Sequence, residues 1–264
     1  MFTIKNYVRA ESLEQAWELN QKRSNAVLGG LLWLKMGTKP IGTAIDLSNL
    51  GLGGIEETQD AFFIGAGATL RELETHSGLE RCFHGAVREA VRHIVGVQFR
   101  NLATVGGSVY SRFGFSDPLT CFLALDAFVE TYPGGIVPLE EYIGRPKENE
   151  ILLRVILKKD GRQACYLSQR PTATDFPTLN CAVSRLEGRW TVVLGARPGK
   201  AMRLENSLSV HPAGDELETF LREVSELPIF GGNLRGSREY RALLSKVLIR
   251  RAVQAVEGGA LHEN

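Results

Sequence analysis

The sequence predicts a two-lobed chain of the α+β class, and three observations lead there. At 264 residues the chain is too long for one comfortable core and long enough for two. In the first half, short apolar strand-like runs alternate with stretches of helical periodicity, the pattern of a β-α-β-α-β lobe. In the last third, strands joined by tight turns give way to two long amphipathic stretches, the pattern of an antiparallel sheet closed by helices. Domain bounds of 1–161 and 162–264 follow, the first dividing into subdomains of about 1–54 and 55–161.

Taken in order, Ser12-Leu13-Glu14-Gln15 is a capping-box pattern, with Leu13, Ala16, Trp17 and Leu19 at helical spacing behind it. Ala26-Val27-Leu28 reads as a buried strand entering Gly29-Gly30. Leu31 to Met36 suits a short helix, and Ala44 to Leu47 a further strand. Gly51 to Gly54 is a glycine-rich hairpin or loop with strands at Ile55–Thr58 and Ala61–Ile64. Thr69 is placed to cap a helix through Leu70, Leu73 and His76, and Ala86 to Ile94 is helical. Leu119 to Leu125 forms a helix behind Asp117-Pro118. Ala127–Tyr132 and Ile136–Leu139 form a hairpin, and Glu150–Leu157 a near-continuous apolar strand. Lys158-Lys159-Asp160-Gly161 is a turn at the lobe boundary. Beyond it come strands at Ala164–Leu167, Thr178–Leu186 and Trp190–Leu194, then helices over about Asp215–Val224 and Arg238–Val256.

Composition excludes several function classes. Lys+Arg 31 against Asp+Glu 30 leaves a net charge of +1, so no global charge draws the chain to nucleic acid or a membrane surface. No apolar run reaches the roughly 20 residues of a membrane span. Met1 to Tyr7 has neither a charged n-region nor an apolar h-region, which points to the cytoplasm. Cys82, Cys121, Cys165 and Cys181 are scattered, so neither a metal site nor a disulfide framework is expected, and His76, His84 and His93 read as surface or capping residues.

Two glycine motifs carry the chemistry. Arg100-Asn101-Leu102-Ala103-Thr104-Val105-Gly106-Gly107-Ser108 combines adjacent glycines with flanking hydroxyls, so the backbone can approach something bulky and still hydrogen-bond it. Gly29-Gly30 lies between a strand and a helical stretch. It is either a simple tight turn or a junction that aims backbone N–H groups at an anion such as a pyrophosphate. Asp117 is a helix-capping residue, or a carboxylate that accepts a ribose or ribityl hydroxyl, and one carboxylate can do both.

These motifs, in their order and spacing, resemble the FAD-binding middle subunit of the molybdenum hydroxylases, the xanthine dehydrogenase and carbon monoxide dehydrogenase family. The resemblance runs through Val27-Leu28-Gly29-Gly30, Ile64-Gly65-Ala66-Gly67-Ala68-Thr69, Arg100 to Gly107, Ser116-Asp117, Leu123 to Ala127 and Arg235 to Arg241. It implies a PCMH-type FAD-binding fold of two α/β subdomains, followed by a C-terminal α+β domain of the CO dehydrogenase flavoprotein type. It implies FAD as cofactor, with Val27, Leu28, Gly29, Gly30, Leu31 and Leu32 wrapping the pyrophosphate. Thr104, Gly106, Gly107, Ser108 and Ser111 then follow the dinucleotide, and Ser116-Asp117 holds sugar-chain hydroxyls. Leu152 becomes an apolar wall, and Ile94 stands where some members place an aromatic residue over the isoalloxazine. The chain departs from the family at Leu31-Leu32, where a hydroxyl or acid is frequent. It departs again at Ser111-Arg112-Phe113-Gly114-Phe115, where many members have Ser-Pro, and at Leu167, where the family has a lysine.

The resemblance implies an electron-transfer subunit with no catalytic side chain and no metal ligands of its own. Its expected partners are a molybdenum-cofactor large subunit and a 2Fe-2S small subunit, as a heterotrimer or a dimer of heterotrimers. NAD or another acceptor would take the electrons onward. Two alternatives stand beside it: a stand-alone flavin-dependent reductase of the same superfold, and a flavin-free assembly module.

Overall fold

A computed structural model describes residues 2–212 and 214–258. The elements run β1 (Ile4–Arg9), α1 (Leu13–Asn20), β2 (Ala26–Leu28), β3 (Ile41–Asp46), β4 (Ile55–Glu57), β5 (Ala61–Gly65), α2 (Leu70–Thr75), α3 (Ser77–Cys82), α4 (Ala86–Arg92), α5 (Val97–Arg100) and α6 (Val105–Tyr110). They continue α7 (Asp117–Ala124), β6 (Phe128–Tyr132), β7 (Gly135–Pro138), α8 (Leu139–Gly144), β8 (Ile151–Lys158), β9 (Gln163–Gln169), β10 (Leu179–Leu186), β11 (Arg189–Gly195), β12 (Met202–Leu204), α9 (Gly214–Glu226) and α10 (Arg238–Gly258).

The chain groups into two compact units, and their membership does not follow chain order. The first takes Met1–Glu72, Val97–Ser111 and Ala127–Leu157; the second takes Leu73–Gly96, Arg112–Asp126 and Lys158–Asn264. One passage between them falls at Leu157/Lys158, beside the turn that marked the lobe boundary in the sequence.

The first unit contains a parallel sheet of order β1-β3-β2 and a five-stranded sheet of order β4-β5-β8-β6-β7. Ser12 caps α1 by accepting from Gln15 N, as the capping box predicts. The helix buries Ala16 against Ala10, Ile45 and Ile151, with Trp17 set edge-on to Tyr132 at 6.4 Å. Two expectations change here, and one strand appears that none foresaw. The stretch Leu31–Met36 is helical only as a 3-10 turn over Leu34–Met36, because Leu31 itself is left-handed. The hairpin joining β4 and β5 turns at Thr58, whose N and Oγ1 both bond to Ala61 O, rather than at the glycines. Strand β1 is exposed at most of its positions, so no apolar alternation announced it.

In the second unit, an antiparallel sheet of order β12-β11-β10-β9 lies between two helical layers. One face packs Cys165, Cys181, Val183, Val192 and Leu194 against Leu221 of α9 and Leu248, Ala252 and Val256 of α10. Tyr166, Asn180 and Ser184 turn to the other face and bond to α7, at Asp117 and Ala124. Burial on both faces explains why β10 reads as a run of apolar residues rather than an alternation. Among the described residues no helix is long and apolar enough to cross a membrane.

Candidate functional site

The site in the first unit starts where β2 ends. Val27 and Leu28 lie in register with Ile45 and Asp46 of β3, so the loop Gly29–Leu32 leaves the carboxyl edge of a parallel sheet. Ligands of open parallel sheets bind at that edge. A Cβ on Gly30 would lie 1.8 Å from the carbonyl oxygen of Leu102, and one on Gly29 would lie 2.8 Å from Thr104 Oγ1. The two glycines are therefore what allows this loop to sit directly on the Leu102–Thr104 backbone. Leu31 is left-handed at φ 62, a conformation that costs an L-residue about 1–2 kcal/mol. The backbone N–H groups of Gly30, Leu31 and Leu32 donate to no acceptor among the described residues. A backbone held in strain with several donors in reserve is the arrangement expected of an anion cradle.

The second glycine motif is built differently. Thr104 caps α6, its Oγ1 accepting from Gly107 N at 3.1 Å. Val105 N donates to Ala68 O and Gly106 N to Ala66 O, each at 2.8 Å, while Ser108 N donates to Thr104 O. The amides of this turn are thus already engaged. Ala66 N donates in turn to Leu153 O, which ties the turn to β8 beside the buried Leu152. Gly106 is a packing glycine, since a Cβ there would come within 2.7 Å of Ala66 O. Gly107 is exposed, and a Cβ there would meet only Thr104 Oγ1, at 3.1 Å. Ser108 Oγ donates to Thr104 O, Ser111 Oγ to Ser108 O, and Lys147 Nζ to Ser111 O. The first loop supplies free backbone donors; the second braces it and presents an outward glycine and hydroxyls. The segment Gly65–Leu70 is the backplate of the second motif, through Leu70 N to Ala103 O and the bonds at Ala66 and Ala68. Its repeated small residues were the signal for that role.

The other three expected residues belong to the second unit. Ile94 is half-buried just beyond α4, its N bonded to Val91 O. Ser116 caps α7, accepting from Leu119 N. Asp117 is 3% exposed, and both its oxygens are engaged: Oδ1 accepts from Tyr166 Oη and from Asn180 Nδ2 at 3.0 Å, while Oδ2 faces Arg170 Nη2 at 2.8 Å. Burial works to lower the Arg170 pKa, but the Asp117 carboxylate beside it raises it; burial and the same carboxylate push the Tyr166 phenol well up. Arg170 also donates to Ser168 Oγ and Asp175 O, so it braces the turn after β9. Sequence reasoning missed Tyr166, Arg170 and Asn180. An Asn at the second position of the buried β10 run was the one available sign.

Little else is reactive. His76 caps α3 through Nδ1. The Cys121, Cys165 and Cys181 thiols are buried, which raises the pKa of each, to about 12 for Cys165. Among the described residues no group of three His, Cys, Asp or Glu side chains could hold a metal ion.

Comparison with known proteins identifies the cofactor. Residues 2–158, more than half of the chain, match the family described as the FAD binding domain in molybdopterin dehydrogenase. The chain belongs to this family. FAD is accordingly its cofactor, and a glycine-packed loop with free backbone donors suits the diphosphate of that dinucleotide. A similar protein is YgfM of Escherichia coli K12, 28% identical over 253 residues, covering 93% of this chain and 94% of that one; it is described as uncharacterized. The fold is that of a chain in reconstituted CO dehydrogenase from Oligotropha carboxidovorans (TM-score 0.84, 22% identity, 96% of this chain and 97% of that one). It is equally that of a chain in quinoline 2-oxidoreductase from Pseudomonas putida 86 (TM-score 0.79, 18% identity, 97% and 98% covered).

Proposed function

We propose that this chain is the electron-transfer flavoprotein subunit of a cytoplasmic molybdenum hydroxylase complex. Its partners would be a molybdenum-cofactor chain and a 2Fe-2S chain, and NAD⁺ or another acceptor would receive the electrons. When bound, FAD supplies the redox chemistry, exchanging electrons singly or in pairs. The protein's part is to hold and orient it. Gly30, Leu31 and Leu32 offer backbone N–H groups to the diphosphate. Thr104, Ser108 and Ser111 offer hydroxyls, Gly107 leaves room for close approach, and Leu152 contributes apolar packing. No acid, base or nucleophile is required of the chain, in keeping with the burial of the Cys121, Cys165 and Cys181 thiols, which pushes the pKa of each up.

The observation that carries this reading is the set of unengaged donors at Gly30–Leu32, set by glycine packing on Leu102–Thr104. The test is Gly107→Val. A Cβ there meets only Thr104 Oγ1, at 3.1 Å, so the strain within the chain is confined to one hydroxyl, while a ligand seated over Gly107 is blocked. Loss of FAD, with a melting temperature close to that of wild-type apoprotein, is expected, and full FAD content in the variant would place the cofactor elsewhere. Co-purification with an iron–sulfur chain and a molybdenum chain checks the assembly; a flavin-loaded chain that reduces a small-molecule substrate alone would favour a stand-alone reductase instead.

A further inference from the structure

Six residues make α6, and two of them are glycines. A helix that short does not hold itself in water, and glycine is a poor helix former. The N-terminal end of α6 is fixed by the Thr104 cap and by the bonds to Ala66 and Ala68. Its C-terminal end carries Ser108 and leads into Ser111, two of the hydroxyls offered to the dinucleotide, and needs a support of its own.

That support comes from residues 145–150, the loop between α8 and β8. Lys147 Nζ donates to Ser111 O at 2.9 Å and stands 5.4 Å from the centroid of the Tyr110 ring. Tyr110 Oη returns a bond to Glu148 O at 3.3 Å. A donor with a positive charge suits the end of a helix, where the last carbonyls lack partners within the helix and carry the negative end of its dipole. The loop is anchored on its far side as well. Asn149 O accepts from Asn20 Nδ2 at 3.0 Å and from Gln21 Nε2 at 3.1 Å, at the end of α1. The buried Glu150 pairs with Arg145 Nη2 at 2.9 Å. Lys147 itself is exposed, so the contact does not require its charge to be buried, and every residue named lies in the first unit.

Neither Gly29–Leu32 nor Thr104–Ser108 contains a lysine or an arginine. Affinity for a dinucleotide there depends on neutral hydrogen bonds, which weaken steeply when misaligned. We propose that Lys147 is a positioning residue for the cofactor, a clasp that holds the C-terminal end of α6 so that Ser108 and Ser111 keep their aim. The inference rests on the placement of FAD given above. Clasp and cofactor are then thermodynamically linked, each favouring the other.

The test titrates full-length apoprotein with FAD, read by quenching of flavin fluorescence, in Lys147→Met, Lys147→Arg and, as a control, Lys5→Met at an exposed position of β1. Methionine keeps an apolar stem over Tyr110 but loses the charge and the donor, whereas arginine keeps both. Lys147→Met is expected to bind FAD about tenfold more weakly, with a urea midpoint of the apoprotein close to that of wild type. Lys147→Arg is expected to recover most of that loss, and Lys5→Met to match wild type. Hydrogen exchange gives a second readout: FAD is expected to slow the amides of residues 147–150 in wild type and to leave them unslowed in Lys147→Met. Wild-type affinity in Lys147→Met, or a loss that follows a fall in the urea midpoint and is not recovered by arginine, would overturn the proposal. Full FAD content in Gly107→Val would refute the placement of the cofactor itself, a distinct outcome read from a different variant.

Discussion

Gly30→Ala is the smallest change that tests how the cradle is built. The new methyl carbon would sit 1.8 Å from Leu102 O and 2.6 Å from Leu102 C, against a closest tolerable separation of about 3 Å. One side must therefore retreat by more than 1 Å. The Leu102 side cannot yield cheaply, because Ala103 O accepts from Leu70 N and Val105 N donates to Ala68 O, both at 2.8 Å. The loop carrying Leu31 and Leu32 moves instead. Overpacking of this kind costs about 1–3 kcal/mol of stability. If two of the three backbone donors lose their aim at the diphosphate, at about 1.5 kcal/mol or more each, FAD affinity falls roughly 100-fold. The assay is a titration of apoprotein with FAD followed by quenching of flavin fluorescence. Gly53→Ala serves as control, since a Cβ there meets nothing within 4 Å. A Gly30→Ala variant that binds FAD as tightly as the control would refute the assignment of this loop.

Three further outcomes are expected. Asp117→Asn leaves the Arg170 guanidinium buried without its countercharge and should cost about 3–5 kcal/mol in urea unfolding; a loss under 1 kcal/mol would mean that the pair contributes little. Thr104→Ala removes the cap of α6 and the hydroxyl against Gly29, so a loss of about 1 kcal/mol together with weaker FAD retention is expected, the first by thermal melting and the second by absorbance. Burial works to raise the Asp126 pKa, but Arg203 and Arg162 hold it below its usual 3.8. Its contribution is therefore complete above that value and lost as pH falls through the lower folded pKa. Acid titration of wild type against Asp126→Asn should show the two stability curves converging only at the acid end.

Gly29, Gly30 and Gly106 were legible as positions of close approach, because a Cβ at each would lie within 3 Å of Thr104 Oγ1, Leu102 O or Ala66 O respectively. Elements with local signatures were legible too, as with the capping box at Ser12; the hairpin loop read over Glu187-Gly188-Arg189 closes one residue tighter, since Arg189 already pairs with Leu186. What failed was non-local. The partners of Asp117 lie 49 to 63 positions further on, in β9, the turn after it and β10, and no spacing rule connects them. Arg241 entered only as the end of the Arg235–Arg241 stretch, with no sign of its role; it is fully buried, bonding to Thr178 O, Gly231 O, Gly236 O and Asn233 Oδ1, and so fixes the loop before α10. The engaged state of the Val105 and Gly106 amides was equally invisible, because it depends on a backplate some forty residues earlier.

The interleaving of the two units has a consequence for how the protein is made. Every residue of α7 is buried, and the strands that cover it, β10 and β11, begin more than fifty residues downstream. During synthesis this apolar helix leaves the ribosome well before its shelter exists, and at about 5–20 residues per second that interval is several seconds. The nascent chain must be shielded for that time or hold itself in a loose collapsed state. A fragment ended at residue 158 would never leave that condition, so the stretch that defines the family is not a piece that can be cut out and expressed alone.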